Sequence, residues 1–175
     1  LRMADGTVIT HDGFLQTAAQ YANLLTDLGV KAGDRIAVQI AKSPQSLAVY
    51  CACVQAGIIF LPLNTAYTAD EVSYFVKNSG TRVLLCDESR AGDLNSVAKA
   101  ANAILETLNG DGSGSFTTKA VEHPVRFDTV ARDEDDLAAF LYTSGTTGRS
   151  KGAMLTQANL MSNAKTLAEE WRFTE

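Results

Sequence analysis

The chain has 175 residues, 46% of them apolar and 20% charged, which is the composition of an ordinary globular protein with one sizeable core. Its 15 basic and 20 acidic residues give a net charge of −5 with no Lys/Arg cluster, so the basic footprint that nucleic acid requires is absent. No apolar run is long enough to span a bilayer and no charged-then-apolar leader precedes the first helix, so a cytoplasmic protein with no membrane partner is expected.

Taken in order, the elements begin with a helix from Phe14 to Leu28. Phe14, Leu15, Ala18, Ala22, Leu25 and Leu28 recur at helical spacing, and Gly29 stops it. Arg35 to Ile40 reads as a strand after the turn Lys31-Ala32-Gly33-Asp34. Pro44 then opens a second helix at the position where a missing N–H costs nothing. Leu47, Cys51 and Val54 are its expected apolar face, and Gly57 its end. Cys51 and Cys53 lie two apart on that helix and so face different sides. The chain's three cysteines therefore read as small core residues in a reducing compartment, not as a disulfide framework or a metal site.

Ile58 to Leu63 is a buried strand closed by Pro62. Thr68 and Glu71 form a capping box for a helix running to about Ser79. Arg82 to Cys86 is a further strand ending in Asp87, and a helix is expected from Ser89 to Leu108. Gly110 to Ser115 reads as a flexible loop, with Asp111 supplying turn chemistry. Leu137 to Thr143 and Gly152 to Leu155 are strands. Thr156 caps a last helix whose core face is expected to be Met161, Ala164, Leu167, Ala168 and Trp171. Strands alternating with helices predict an α/β architecture with a largely parallel sheet flanked by helices. The chain opens at Leu1 in mid-pattern and closes at Glu175 directly after an amphipathic helix, so it is read as part of something longer.

The segment that carries chemistry is Tyr142-Thr143-Ser144-Gly145-Thr146-Thr147-Gly148-Arg149-Ser150-Lys151-Gly152. It follows an apolar strand and combines glycines, serine and threonine hydroxyls and two cations. Glycines let backbone N–H groups turn inward and approach phosphate oxygens closely. Hydroxyls donate further bonds, and a lysine adds a charge-assisted one. This is not a Walker loop, because Ser150 precedes Lys151 and Gly152 follows it. The dinucleotide fingerprint is missing as well.

In its order of residues the segment resembles the phosphate-loop signature of adenylate-forming enzymes, the group of acyl-CoA synthetases, luciferases and peptide-synthetase adenylation domains. The match is complete except that Ser150 stands where proline is usual. Val54 to Asn64 resembles the family's "Ala-Gly … Pro-Leu" element, and Thr10 to Phe14 its opening Thr-Tyr-x-x-Leu element, with His11 in place of tyrosine. Gln157 stands where relatives often carry histidine. The stretch Leu61 to Thr68, together with Ser144 to Leu160, is most similar to malonyl-CoA synthetases.

The resemblance implies that residues 1–175 are the N-terminal portion of the large AMP-binding domain of an acid:CoA ligase. A carboxylate, malonate or methylmalonate by this likeness, would attack the α-phosphorus of ATP to give an acyl-adenylate and pyrophosphate. Coenzyme A would then displace AMP. Thr143, Ser144, Gly145, Thr146, Thr147 and Gly148 would wrap the β- and γ-phosphates and Lys151 would offset their charge, with Mg2+ carried on the nucleotide. The adenine pocket, the magnesium-holding glutamate, the ribose-binding aspartate and the small C-terminal domain with its catalytic lysine lie downstream in the family. These residues alone are therefore expected to be inactive.

Other residues have plainer readings. Asp133-Glu134-Asp135-Asp136 is a solvated acidic turn before a strand, since no converging partner is evident. His11 and His123 have no acid/base partner nearby in sequence, and Arg149 is a rim charge. Two other functional classes stay open at this level. One is a phosphotransferase or ATPase that makes ADP in place of AMP. The other is a non-catalytic nucleotide-binding stub, whose open sheet edge would favour self-association.

Overall fold

The computed structural model describes residues 1–143 and 150–172. Helices α1 (His11–Asp27), α2 (Pro44–Ala56), α3 (Ala69–Ser79), α4 (Glu88–Ala100), α5 (Ser115–Ala120) and α6 (Gln157–Glu170) alternate with six strands. The strands are β1 (Arg35–Gln39), β2 (Ile59–Pro62), β3 (Val83–Cys86), β4 (Ile104–Thr107), β5 (Leu137–Thr143) and β6 (Lys151–Thr156). They form one sheet in the order β4-β3-β1-β2-β5-β6. Every neighbouring pair is parallel except β5 with β6. This is the expected α/β architecture.

The strands alternate their side chains between two apolar layers, as the period of two requires. Ile36, Val38, Val83 and Leu85 enter the layer built with α1, α2 and α5. Ala37, Leu61, Leu84 and Cys86 enter the layer built with α3 and α4. Covered on both faces, the central strands bury nearly every residue. Among the described residues no helix is long and apolar enough to cross a membrane.

Local signals set most element ends. Thr10 caps α1 by accepting from the Gly13 N–H, so that helix starts three residues before the expected Phe14. Ser43, just ahead of Pro44, and Ser46 in the first turn cap α2 reciprocally, and Gly57 closes it at φ 66°. Thr68 and Glu71 form the expected box on α3, and Gly80 closes that helix at φ 64°.

Four expectations require correction. The helix predicted to reach Leu108 ends at Ala100, and Ile104–Thr107 pairs with β3 as the edge strand β4. Val97, Ala101, Leu105 and Leu108 continue the helical spacing and hide this break. Asn102 makes the turn at φ 52°, a left-handed conformation that asparagine tolerates. The loop predicted through Ser115 gives way there to α5, which plugs the core with Phe116. Within the loop, Asp111 accepts from the Ser113 N–H and hydroxyl, the turn chemistry expected of it.

The third correction concerns α2. Leu47 and Val54 are exposed and Cys51 half-buried, while Ala48, Val49, Ala52, Cys53 and Ala56 are buried. Apolar residues surround this helix, so periodicity does not choose a face. The small ones turn inward where α2 packs against α1 and its Ala18 and Ala22. The fourth concerns α6, which is capped by Thr156 and Asn159 as expected but contributes no buried residue. Met161 is 57% exposed and Trp171 67%. The stripe is real in the sequence, but none of its residues on α6 is buried.

Candidate phosphate-binding site

β5 and β6 form an antiparallel hairpin in which Tyr142 faces Gly152 and Thr143 faces Lys151. Residues 144–150 make the connection. Of the predicted site residues, Thr143 and Lys151 are described; Ser144, Gly145, Thr146, Thr147 and Gly148 lie outside the described residues, as does Arg149. The Thr143 hydroxyl donates to the Lys151 carbonyl at 3.4 Å, and both residues are exposed. A hydroxyl and an ammonium-bearing residue thus stand side by side at the mouth of the hairpin, on the carboxyl end of a central-sheet strand. Anionic ligands of α/β sheets bind at such ends, where backbone donors point outward.

The hairpin ends are tied to α3. The Tyr142 hydroxyl donates to Asn78 Oδ1 at 2.6 Å, and the Tyr74 hydroxyl donates to the Ser150 carbonyl at 3.2 Å. Between them lies a cluster of rings. Phe75 and Tyr142 have centroids 4.4 Å apart, Tyr67 and Phe75 5.0 Å, and Tyr74 and Phe75 5.5 Å. Burial, and then the neighbouring Tyr74, push the Tyr142 phenol above its usual range. It is therefore a neutral donor to Asn78 at physiological pH. Tyr74, Phe75 and Asn78 were not found from the sequence. Their helical spacing places Tyr74 and Asn78 on one face, but nothing local shows that this face meets residues some 70 positions away.

The acidic turn, the two histidines and the cysteines have the following surroundings, while Arg149 lies outside the described residues. Asp133 to Asp136 form a turn in which the Asp133 N–H donates to Asp136 Oδ2, and Asp136 pairs with Arg132 at 3.0 Å. Its Asp136 and Glu134 carbonyls accept from the first N–H groups of α6. Among the described residues no group of three or more His, Cys, Asp or Glu side chains converges to hold a metal. His11 opens α1 at the surface, and the His123 carbonyl accepts from Gln20. Cys53 and Cys86 are buried and Cys51 half-buried, and burial raises all three thiols.

Comparison with known proteins agrees with the fold. The structure superimposes on MatB from Rhodopseudomonas palustris, solved both without ligand and with ATP bound, at a TM-score of 0.93 and 46% identity. The match covers 98% of this chain and 34% of that one. The N-terminal domain of FACL13 from Mycobacterium tuberculosis gives a TM-score of 0.82 at 25% identity, over 95% of this chain and 42% of that one. Among curated proteins, feruloyl-CoA synthase of an Amycolatopsis species is 35% identical over 90% of this chain and 30% of its own length. Oxalate–CoA ligase of Arabidopsis thaliana is 30% identical over 88% and 31%. The chain thus spans about a third of the length of the curated relatives it matches. The AMP-binding enzyme model matches residues 2–175, and the chain belongs to that family.

Proposed function

We propose that this chain is the N-terminal portion of the large domain of an ATP-dependent acid:CoA ligase, with the β5–β6 connection as its triphosphate-binding loop. The observation that carries the reading is the Gly/Ser/Thr segment ending in Lys151, set between the carboxyl end of β5 and an antiparallel return strand. Thr143, Ser144, Gly145, Thr146, Thr147 and Gly148 would donate to the β- and γ-phosphates, and Lys151 would offset their charge. Magnesium would neutralise phosphate charge when bound with the nucleotide, and coenzyme A would take the acyl group from the adenylate. Other parts of the protein would complete the site.

Malonate, with methylmalonate as the next candidate, is the proposed acid. The 46% identity to MatB, against 23% for the Brucella canis acyl-CoA synthetase, supports placing the chain near that enzyme. The curated relatives named for oxalate and ferulate supply the competing acids. A cytoplasmic setting fits the composition. The exposed edge strand β6 supports self-association of the chain when it stands alone.

The test supplies the complete protein with ATP, magnesium, coenzyme A and a panel of malonate, methylmalonate, oxalate, ferulate, acetate and a long-chain acid. AMP and pyrophosphate are followed separately from ADP. AMP that depends on malonate is the expected result. AMP with a different acid moves the substrate, and ADP without acid dependence overturns the ligase. Lys151→Ala and Thr146→Ala are expected to slow pyrophosphate release about tenfold or more, as loss of a charge-assisted or oxyanion-type donor does elsewhere.

A further inference from the structure

The described ends of the glycine-rich segment are both held by one helix, and neither holding residue belongs to the sequence signature. Tyr74 grips the exit at the Ser150 carbonyl, and Asn78, one turn further along α3, grips the entrance through the Tyr142 hydroxyl. We propose that Tyr74 and Asn78 are positioning residues that fix the two ends of the nucleotide-binding segment. The proposal rests on the ligase reading above.

The helix is suited to the task. It is capped by Thr68 and Glu71, closed by Gly80 and seated in the core by Val72, Phe75, Val76 and Ser79. Phe75 packs directly on the Tyr142 ring, so the entrance is braced by an aromatic contact as well as a hydrogen bond. Fixing the ends of a binding segment beforehand removes part of the ordering cost of binding. Proline at position 150 would restrict the same backbone through its ring. Serine has no such ring, but its carbonyl still accepts the Tyr74 proton. Because the bond is to backbone, it is available whichever residue stands at 150.

This mechanism makes a specific demand on double variants. In the complete protein, Tyr74→Phe removes one hydroxyl and keeps the ring, and Asn78→Ala removes the acceptor for Tyr142. Each is expected to raise KM for ATP about threefold to tenfold, as expected for one lost hydrogen bond, with KM for the acid and for coenzyme A unchanged. Adding Ser150→Pro to Tyr74→Phe is expected to recover most of the ATP loss. Adding it to Asn78→Ala should recover little, since that variant loosens the other end. Wild-type protein that releases no pyrophosphate overturns the ligase reading and this proposal together. Active wild type with ATP KM unaltered in both single variants overturns only the positioning role. Parallel rises in KM for all three substrates, or no rescue by Ser150→Pro, also overturn it, since they indicate general loosening of the fold.

Discussion

Lys119, half-exposed on α5, donates to Glu106, a carboxylate only 2% exposed on the edge strand β4. The Ser115 hydroxyl donates to the other carboxylate oxygen and in turn accepts from the Thr107 N–H. A buried carboxylate is tolerated where its partners are complete and costly where one is removed. Lys119→Met is expected to destabilise the chain by about 1–3 kcal/mol in urea denaturation. The double variant Glu106→Leu/Lys119→Met should regain most of that loss. A single variant within experimental error of the parent would show that Glu106 is solvated in solution.

Three of the five tyrosines, Tyr21, Tyr50 and Tyr142, have phenols raised above the usual value, with burial the leading cause in each. A raised folded pKa means that the fold favours the neutral phenol. Its contribution is fully present below the unfolded value of about 10 and is lost as pH climbs through the folded value. Stability is therefore expected to be flat with respect to these groups from pH 7 to about 9 and to fall above about 10. Ultraviolet titration should show Tyr21, Tyr50 and Tyr142 ionising later than a free phenol. All five ionising in one step near the ordinary value would contradict this.

The thiols should be graded by burial. The Cys86 thiol is pushed up to about 11, Cys53 is raised further, and Cys51 is raised but half-buried. Thiolate is the reactive form, so at pH 8 an alkylating reagent should reach Cys51 first, and Cys53 and Cys86 only when the chain unfolds. Mass spectrometry of the labelled sites reads this directly. Rapid native labelling of Cys53 would mean that α2 leaves the sheet.

Two glycines should respond oppositely to alanine. At Gly114, φ is +131° and an added Cβ would stand 2.4 Å from the Thr107 carbonyl oxygen, so the backbone itself must shift. Gly114→Ala should cost about 1–3 kcal/mol. Gly92 lies inside α4 with open space where a Cβ would go, and Gly92→Ala should stabilise by about 0.5–1 kcal/mol. Thermal melts of both variants decide the matter, and equal effects would refute the assigned conformations.

These contrasts show what could be read in advance. Capping at Thr68 and Glu71, proline at Pro44 and the stop at Gly57 are local chemistry, and the structure has each of them. The phosphate-loop motif is local too, being one uninterrupted string of residue types. The strand Ile104–Thr107 was concealed because its residues continue the periodicity of α4 and because Glu106 faces inward against the usual rule for charge. The inward face of α2 could not be chosen, because it depends on how closely α1 approaches. Tyr74 and Asn78 escaped notice for the same reason, since their partners at 150 and 142 are brought to them only by the sheet.

The pairings within the sheet are uneven, and this bears on how the molecule opens. β1 registers four residue pairs with β2 and four with β3, whereas β2 meets β5 through the single pair Phe60 and Ala139. The hairpin and α6 form a stretch contiguous in sequence, which meets the rest of the sheet through that one registered pair, the buried Ala138 and Ala139 and the side chains of α3. Such a stretch behaves as its own cooperative unit, with an opening free energy below that of the central strands. In native-state amide exchange, residues 137–143 and 151–156 should lose their protons well before β1 and β3. The β5–β6 hairpin would thus sample open states in which the rest of the protein remains fully folded.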